Sequence, residues 1–429
     1  MKPSCWRRAL AAICSLAALS GCADAMIESG AIREGALRDL VANVVRARAI
    51  EPEGPIAARA VNRDELRAIL SEAFDAWKAP AELANYERAL VALGLWPADR
   101  DLRTAALAVY VEQVVGIYLP SSEELLLVSD ARASRRLVLP SAGLRWDFQA
   151  EFALSHEIIH LLQHQAYPEL MDPEPLPNNS DDLGAAIQAA LEGDALRFGF
   201  DAIGLQVPTP EEWTLLIDGQ FPGPEGSALA QAPALIRLSL AFPYARGYAL
   251  AWSEEFRLLE SPPISTEQVM HDARRREPFL QLDLGGLEDR LPLGCRPLER
   301  NTVGELQISI LFRDLAEDPD PAIWEGWNGD RYLVADCADR TEWVWWTAWD
   351  SAGDAAEFAN AYLEIAPAVA ARAGSAIPVA AQTETTYVVV TSRGFAEEAS
   401  EPPPPATRVA DLVTLQALLR SAENSRRPR

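Results

Sequence analysis

The stretch Ser155-His156-Glu157-Ile158-Ile159-His160 constrains this chain more than any other. Two histidines four residues apart share a face when the segment is helical, because four residues advance a helix by about one turn. On that face both imidazoles reach one ion. Glu157, beside the first of them, can take a proton from water on that ion. The chain has only four histidines, and two of them flank this glutamate. A surface pair on an amphipathic helix is the plainer alternative.

The flanks agree with a helix. Asp147 is a candidate N-cap, and Phe148, Phe152, Ile159 and Leu162 fall on one side of a helix running to about Gln165, before Pro168. Upstream, Val114–Tyr118 and Glu124–Val128 flank a Leu119-Pro120-Ser121-Ser122 turn, which predicts a hairpin. A tetrahedral catalytic zinc takes three protein ligands and keeps one position open. The expected third ligand is Glu192, on a predicted helix from Asp181 to about Phe200 that is otherwise rich in Ala and Leu. A carboxylate on a buried helix needs a partner, and a metal is one. Asp194 is the alternative, or an acceptor that orients a ligand histidine. His164 drifts off the ligand face by about 80° from His156 and reads as a helix-terminal polar residue or a further contact. His271 is a candidate donor to a developing oxyanion. Tyr244 and Tyr248 compete for that role, with core packing as the plainer reading of both.

Composition narrows the partners. Against 63 Asp and Glu stand 38 Lys and Arg, a formal charge of −25. Nucleic-acid binding is therefore not expected, since phosphates demand clustered bases. A hydrophobic fraction of 49% excludes global disorder. The first residues read as an address. Lys2, Arg7 and Arg8 precede an apolar run from Ala9 to Leu19, followed by Leu19-Ser20-Gly21-Cys22, which looks like a bacterial lipobox. The expected product begins at a lipidated Cys22. It sits in the cell envelope, held to the membrane by that lipid alone, with the outer membrane favoured because Ala23 replaces an inner-membrane retention Asp. Loss of residues 1–21 removes three bases and no acids, leaving 63 acids against 35 bases, or −28. Export permits a disulfide between Cys295 and Cys337, with two separate thiols as the alternative.

The fold class expected is α+β. It comprises a signal segment (1–21), an N-terminal tether and helices (22–100), a mainly helical domain with an edge hairpin (101–275), a small α/β region (276–400), and a Pro-rich linker with a terminal helix (401–429). In the α/β region Tyr332–Asp336, Glu342–Trp349 and Thr385–Thr391 read as strands and Ala355–Ala371 as a helix, a β-β-α-β segment. Val303–Leu315 is ambiguous between helix and strand. Asp330-Arg331 reads as a turn with an ion pair. Six of the twelve tryptophans lie between positions 324 and 349, as a packed sheet core or a ligand platform.

The His-Glu-x-x-His helix followed by a helical Glu resembles the gluzincin arm of the zinc metallopeptidases. That resemblance implies Zn2+ held by His156, His160 and Glu192, Glu157 as general base, and a peptide or protein substrate. It departs at Leu196, where many gluzincins carry an Asp four residues after the ligand Glu. The segments Gly116–Tyr118, His156–Gln163, Leu191–Ala195, Pro263–His271 and Gly326–Tyr332 also resemble a largely uncharacterised group of exported zincin-like proteins. The competing expectations are a non-catalytic envelope lipoprotein that keeps the fold for binding or assembly, and a hydrolase of non-peptide amides.

Overall fold

A computed structural model describes residues 26–129, 146–171, 180–205, 207–218, 223–291, 294–338, 340–383 and 386–424. The signal segment, Cys22 and the side chain of Asp147 lie outside them. Helix α1 (Glu34–Arg48) precedes strand β1 (Ala57–Val61) and helix α2 (Arg63–Trp77). Asn62 starts α2 with a capping box, accepting from the Asp64 and Glu65 N–H groups while Glu65 accepts from the Asn62 N–H. Helix α3 (Pro80–Ala92) opens on proline, and α4 (Leu102–Gln113) is capped by Asp101. Strands β2 (Gly116–Leu119) and β3 (Glu124–Val128) form the expected hairpin. Because β3 also pairs in parallel with β1, the order β1-β3-β2 leaves β2 at an edge.

Helices α5 (Trp146–Ala166) and α6 (Asp181–Ala202) follow, the second capped by Ser180. Next come α7 (Pro210–Asp218), α8 (Ala234–Glu254) and the short α9 (Thr266–Met270). The C-terminal part contains β4 (Phe279–Leu282), β5 (Cys295–Asn301), α10 (Gly304–Leu315), β6 (Trp327–Cys337), β7 (Arg340–Trp349) and α11 (Ala352–Ala373). It ends with β8 (Val379–Thr383), β9 (Tyr387–Thr391), β10 (Ala406–Val409) and α12 (Leu412–Asn424). An antiparallel sheet runs in the order β8-β9-β7-β6-β5. Cys295 and Cys337 stand opposite each other on β5 and β6 and form a disulfide. The protein is thus α+β.

Trp343 and Trp345 pack on one side of β7 with Phe358 and Tyr362, while Trp346 packs on the other with Leu333 and Val389. All six tryptophans of this region are buried, as a sheet core requires. Several expectations change here. Five strands replace three, and Val303–Leu315 resolves as a helix. Asp330-Arg331 is not a turn but mid-strand in β6. Asp330 accepts from the Val303 and Gly304 N–H groups and from the Trp327 and Trp345 indoles. Pro402–Pro405 leads into β10, which pairs with β4, and Asp283 N–H donates to Pro405 O at 2.8 Å.

One large core runs from Leu83 and Leu90 of α3, through α6, α8 and α10, to α11 and to Leu415 and Leu419 of α12. The expected boundaries at 100, 275 and 400 therefore do not separate cores. A second core joins α1, β1, α2 and the hairpin to Leu154, Ile158, Ile159, Leu161 and Leu162 of α5.

Candidate metal centre

Leu154, Ile158, Ile159, Leu161 and Leu162 are at most 2% exposed, so α5 is held by its apolar face against the hairpin core. His156 and His160 point the other way, toward α6. Glu192 stands opposite them. His156 Nε2 lies 2.9 Å from Glu192 Oε2, His160 Nε2 lies 3.5 Å from the same oxygen, and the two Nε2 atoms are 3.0 Å apart. Tetrahedral zinc with bonds of about 2.0–2.1 Å separates neighbouring ligand atoms by about 3.3 Å. The three atoms thus form one face of a tetrahedron of nearly that size. Two imidazole nitrogens and a carboxylate oxygen all have lone pairs to offer, and one cation satisfies all three. The donor set fits zinc. The side chains are 9–12% exposed, enclosed but reachable. Burial alone lowers the basicity of His160, but the adjacent Glu192 carboxylate outweighs it and lifts the group to about 9. Glu192 is held below the usual carboxylate range, as His160 and His156 outweigh its own burial. The cluster already behaves as a seat for positive charge.

Glu157 sits beside the triad. Its Oε2 accepts the Tyr118 N–H of the edge strand at 2.8 Å. The strand comes this close because residue 116 is glycine: a Cβ there would lie 3.0 Å from Glu157 Cγ. Burial pushes the Glu157 carboxyl up, against the pull of His156 and His160.

The remaining candidates part ways. His164 lies in the last turn of α5, its Nδ1 2.7 Å from the Tyr118 hydroxyl. His271 is not brought to the triad. It caps the C-terminus of α9 and its Nε2 meets Glu305 Oε1 at 2.6 Å. Helix α9 docks where Thr266 bonds Asp182, ten residues along α6 from Glu192 and so about 15 Å away along the axis. Tyr248 is a core residue, fully buried, with its hydroxyl donating to Pro208 O at 2.6 Å. Tyr244 is in the site. Its ring stacks at 6.4 Å from His156, and its hydroxyl interacts with the Glu192 carboxylate. Burial first, then Glu192, keeps that phenol protonated far above its ordinary range. Asp194 is wholly buried and is no ligand; it pairs with Arg48.

Sequence reasoning missed two neighbours. Tyr110 of α4 faces Glu192, and its phenol is raised by burial and then by that carboxylate. Gln163 binds His160 Nδ1. Its place in the motif's third turn was the available signal.

A domain of unknown function (DUF8575) matches residues 292–400, roughly the β5–β9 region and away from the triad. Neither the curated proteins nor the solved structures contain a match to the chain.

Proposed function

We propose that this chain is a zinc-dependent peptidase, exported and anchored to a bacterial envelope, the outer membrane by preference, through lipid on Cys22. The convergence of His156 Nε2, His160 Nε2 and Glu192 Oε2 beside Glu157 carries the reading. His156, His160 and Glu192 would hold a zinc ion, which would supply an acidified water and polarise a substrate carbonyl. Glu157 is oriented by the edge strand: with Oε2 held by the Tyr118 N–H, Oε1 takes the water proton and passes it to the leaving amine. Its burial-raised carboxyl suits a group that must both accept and release a proton. Tyr244, kept neutral, donates its O–H to the carbonyl oxygen as negative charge develops there, the role first expected of His271. No helix among the described residues is long and apolar enough to cross a membrane.

The test pairs metal content with cleavage of a peptide library by the wild type and Glu157→Gln. One zinc per chain in both is expected, with cleavage reduced by about 10²–10⁴ in the variant. Zinc without Glu157-dependent cleavage would favour a binding lipoprotein, and no bound zinc would sink the proposal.

A further inference from the structure

We infer that Gln163 is a positioning residue that fixes the His160 imidazole in its Nδ1–H form, and that Asp194 and Arg48 set the orientation of Gln163 from outside the site. The inference rests on the reading of His156, His160 and Glu192 as ion ligands.

The amide's orientation follows from its surroundings. One end of Gln163 lies 3.0 Å from Leu191 O and 2.8 Å from Asp194 Oδ2. A backbone carbonyl only accepts, and Asp194 Oδ2 already accepts from Arg48 Nε, so that end must be the NH₂. The amide oxygen is then the atom 2.8 Å from His160 Nδ1. An amide oxygen also only accepts, so Nδ1 carries a hydrogen and Nε2 is the nitrogen left to give its lone pair to an ion held beside Glu192 and His156. Gln163 and Asp194 are both 0% exposed, so no bulk water competes for these bonds. A flipped amide would press its oxygen against two acceptors at once.

Asp194 is held in turn. Arg48 Nε, on the last residue of α1, meets Asp194 Oδ2 at 2.9 Å with both side chains buried. Helix α1 therefore reaches the ion site through two intermediaries without touching it. Leu191 O belongs to the peptide just before Glu192, so the same amide also ties the third ligand's backbone to α5. The orienting partner comes from α5 itself, as a neutral amide relayed to a buried carboxylate. His156 differs, since its Nδ1 is buried with no hydrogen-bond partner among the described residues.

Zinc dissociation constants of the full-length chain, measured by competition with a chromophoric chelator, test this. The set is wild type, Gln163→Leu, Gln163→Glu and Gln163→Glu/Asp194→Asn, each with its unfolding midpoint in EDTA. A purely structural role would shift the midpoint and leave zinc affinity in the folded protein unchanged. We expect Gln163→Leu to weaken zinc binding about 10–100-fold. Gln163→Glu sets two buried carboxylates together and weakens it as well. Adding Asp194→Asn turns one of the two acceptors facing position 163 into a donor, so the pair should recover in part, about tenfold over the single change. Wild-type affinity in Gln163→Leu, or no recovery in the pair, would overturn the inference while leaving the ion reading intact. Should the variants not fold, imidazole 15N spectra of the zinc-loaded wild type decide: Nε2 ligation with a protonated Nδ1 at His160 is expected, and ligation through Nδ1 overturns it. A wild type that binds no zinc overturns the ion reading itself, before any variant is compared.

Discussion

Tyr244 lies within reach of Glu192, whereas His271 is engaged by Glu305 of α10. The difference is testable at single atoms. Tyr244→Phe removes only the hydroxyl and leaves the ring stacked on His156. In the peptidase reading, kcat should fall about 10²-fold with KM little changed and zinc content still one per chain. His271→Gln should leave kcat within about twofold, because the residue lies outside hydrogen-bonding reach of the reacting atoms. Kinetics on any peptide the wild type cleaves checks both, and the reverse ranking would return the donor role to His271. The difference also shows what a sequence conveys at this scale. His156, Glu157 and His160 were legible because helix periodicity alone places them together. Glu192 was legible because a lone carboxylate on an apolar helix wants a partner. Tyr110 and Tyr244 owe their places to where other helices cross, and no local spacing announces that, whereas Gln163 stands three residues after His160 on the same helix.

The crossing of α6 and α8 is the element-scale feature that assembles the site. A Cβ on Gly193 would lie 1.9 Å from Gly247 O, and one on Gly247 would lie 2.0 Å from Ala189 O. The helices touch backbone to backbone, one residue from Glu192 and three from Tyr244. Only glycine at both positions permits that approach, and it brings the Tyr244 hydroxyl against the Glu192 carboxylate. Gly193→Ala should force the helices apart, costing about 1–3 kcal/mol and weakening zinc binding together. Gly184, exposed on the same helix, has nothing within 4 Å of its would-be Cβ. Gly184→Ala should be neutral or stabilise by about 0.5–1 kcal/mol with zinc affinity unchanged. Equal effects from the two substitutions, in denaturant unfolding and chelator competition, would refute the close-approach argument. Helix α8 itself escaped the sequence reading. Pro243 and Gly247 lie inside it, and both read locally as breakers. The hairpin strands were legible to within two residues because a Pro-Ser turn separates them. The β4–β10 pair joins segments more than a hundred residues apart, and neither strand shows an alternating pattern long enough to reveal it.

At the scale of the whole molecule, acidity recurs inside as well as outside. Beyond the formal charge of −25, several carboxyls are buried where α6, α9, α10 and β6 meet, well away from the His156, His160 and Glu192 group. Burial lifts Asp182 to about 7 against its hydrogen bonds from Thr266, and Asp330 to about 6 against the N–H groups of Gly304 and Val303. Burial and then Glu305 lift Glu267 to about 8, and burial lifts Glu299 to about 7. Each binds its proton more tightly folded than unfolded, where a carboxyl titrates near 4. Between about pH 4 and 8 the folded state therefore carries the extra protons, and stability falls as pH rises through that window. His271 acts in the same direction. Its hydrogen bond to Glu305 raises it, so the stability it adds is present below its unfolded value of about 6.5 and is lost as pH climbs through the folded value. Mutual repulsion of the surface acids adds to the trend. The lowered carboxyls, Asp101 and Asp336 among them, oppose it only at more acidic pH, where they regain protons. The unfolding midpoint of the chelated protein should therefore decline from pH 5 to pH 8, contrary to a neutral-pH optimum. Asp182→Asn keeps an acceptor for Thr266 and removes one of the raised groups, so its midpoint should decline less steeply over the same range. A midpoint that climbs with pH, or a slope unchanged in Asp182→Asn, would show that these acids are ionised in the fold and that their buried contacts compensate the charge.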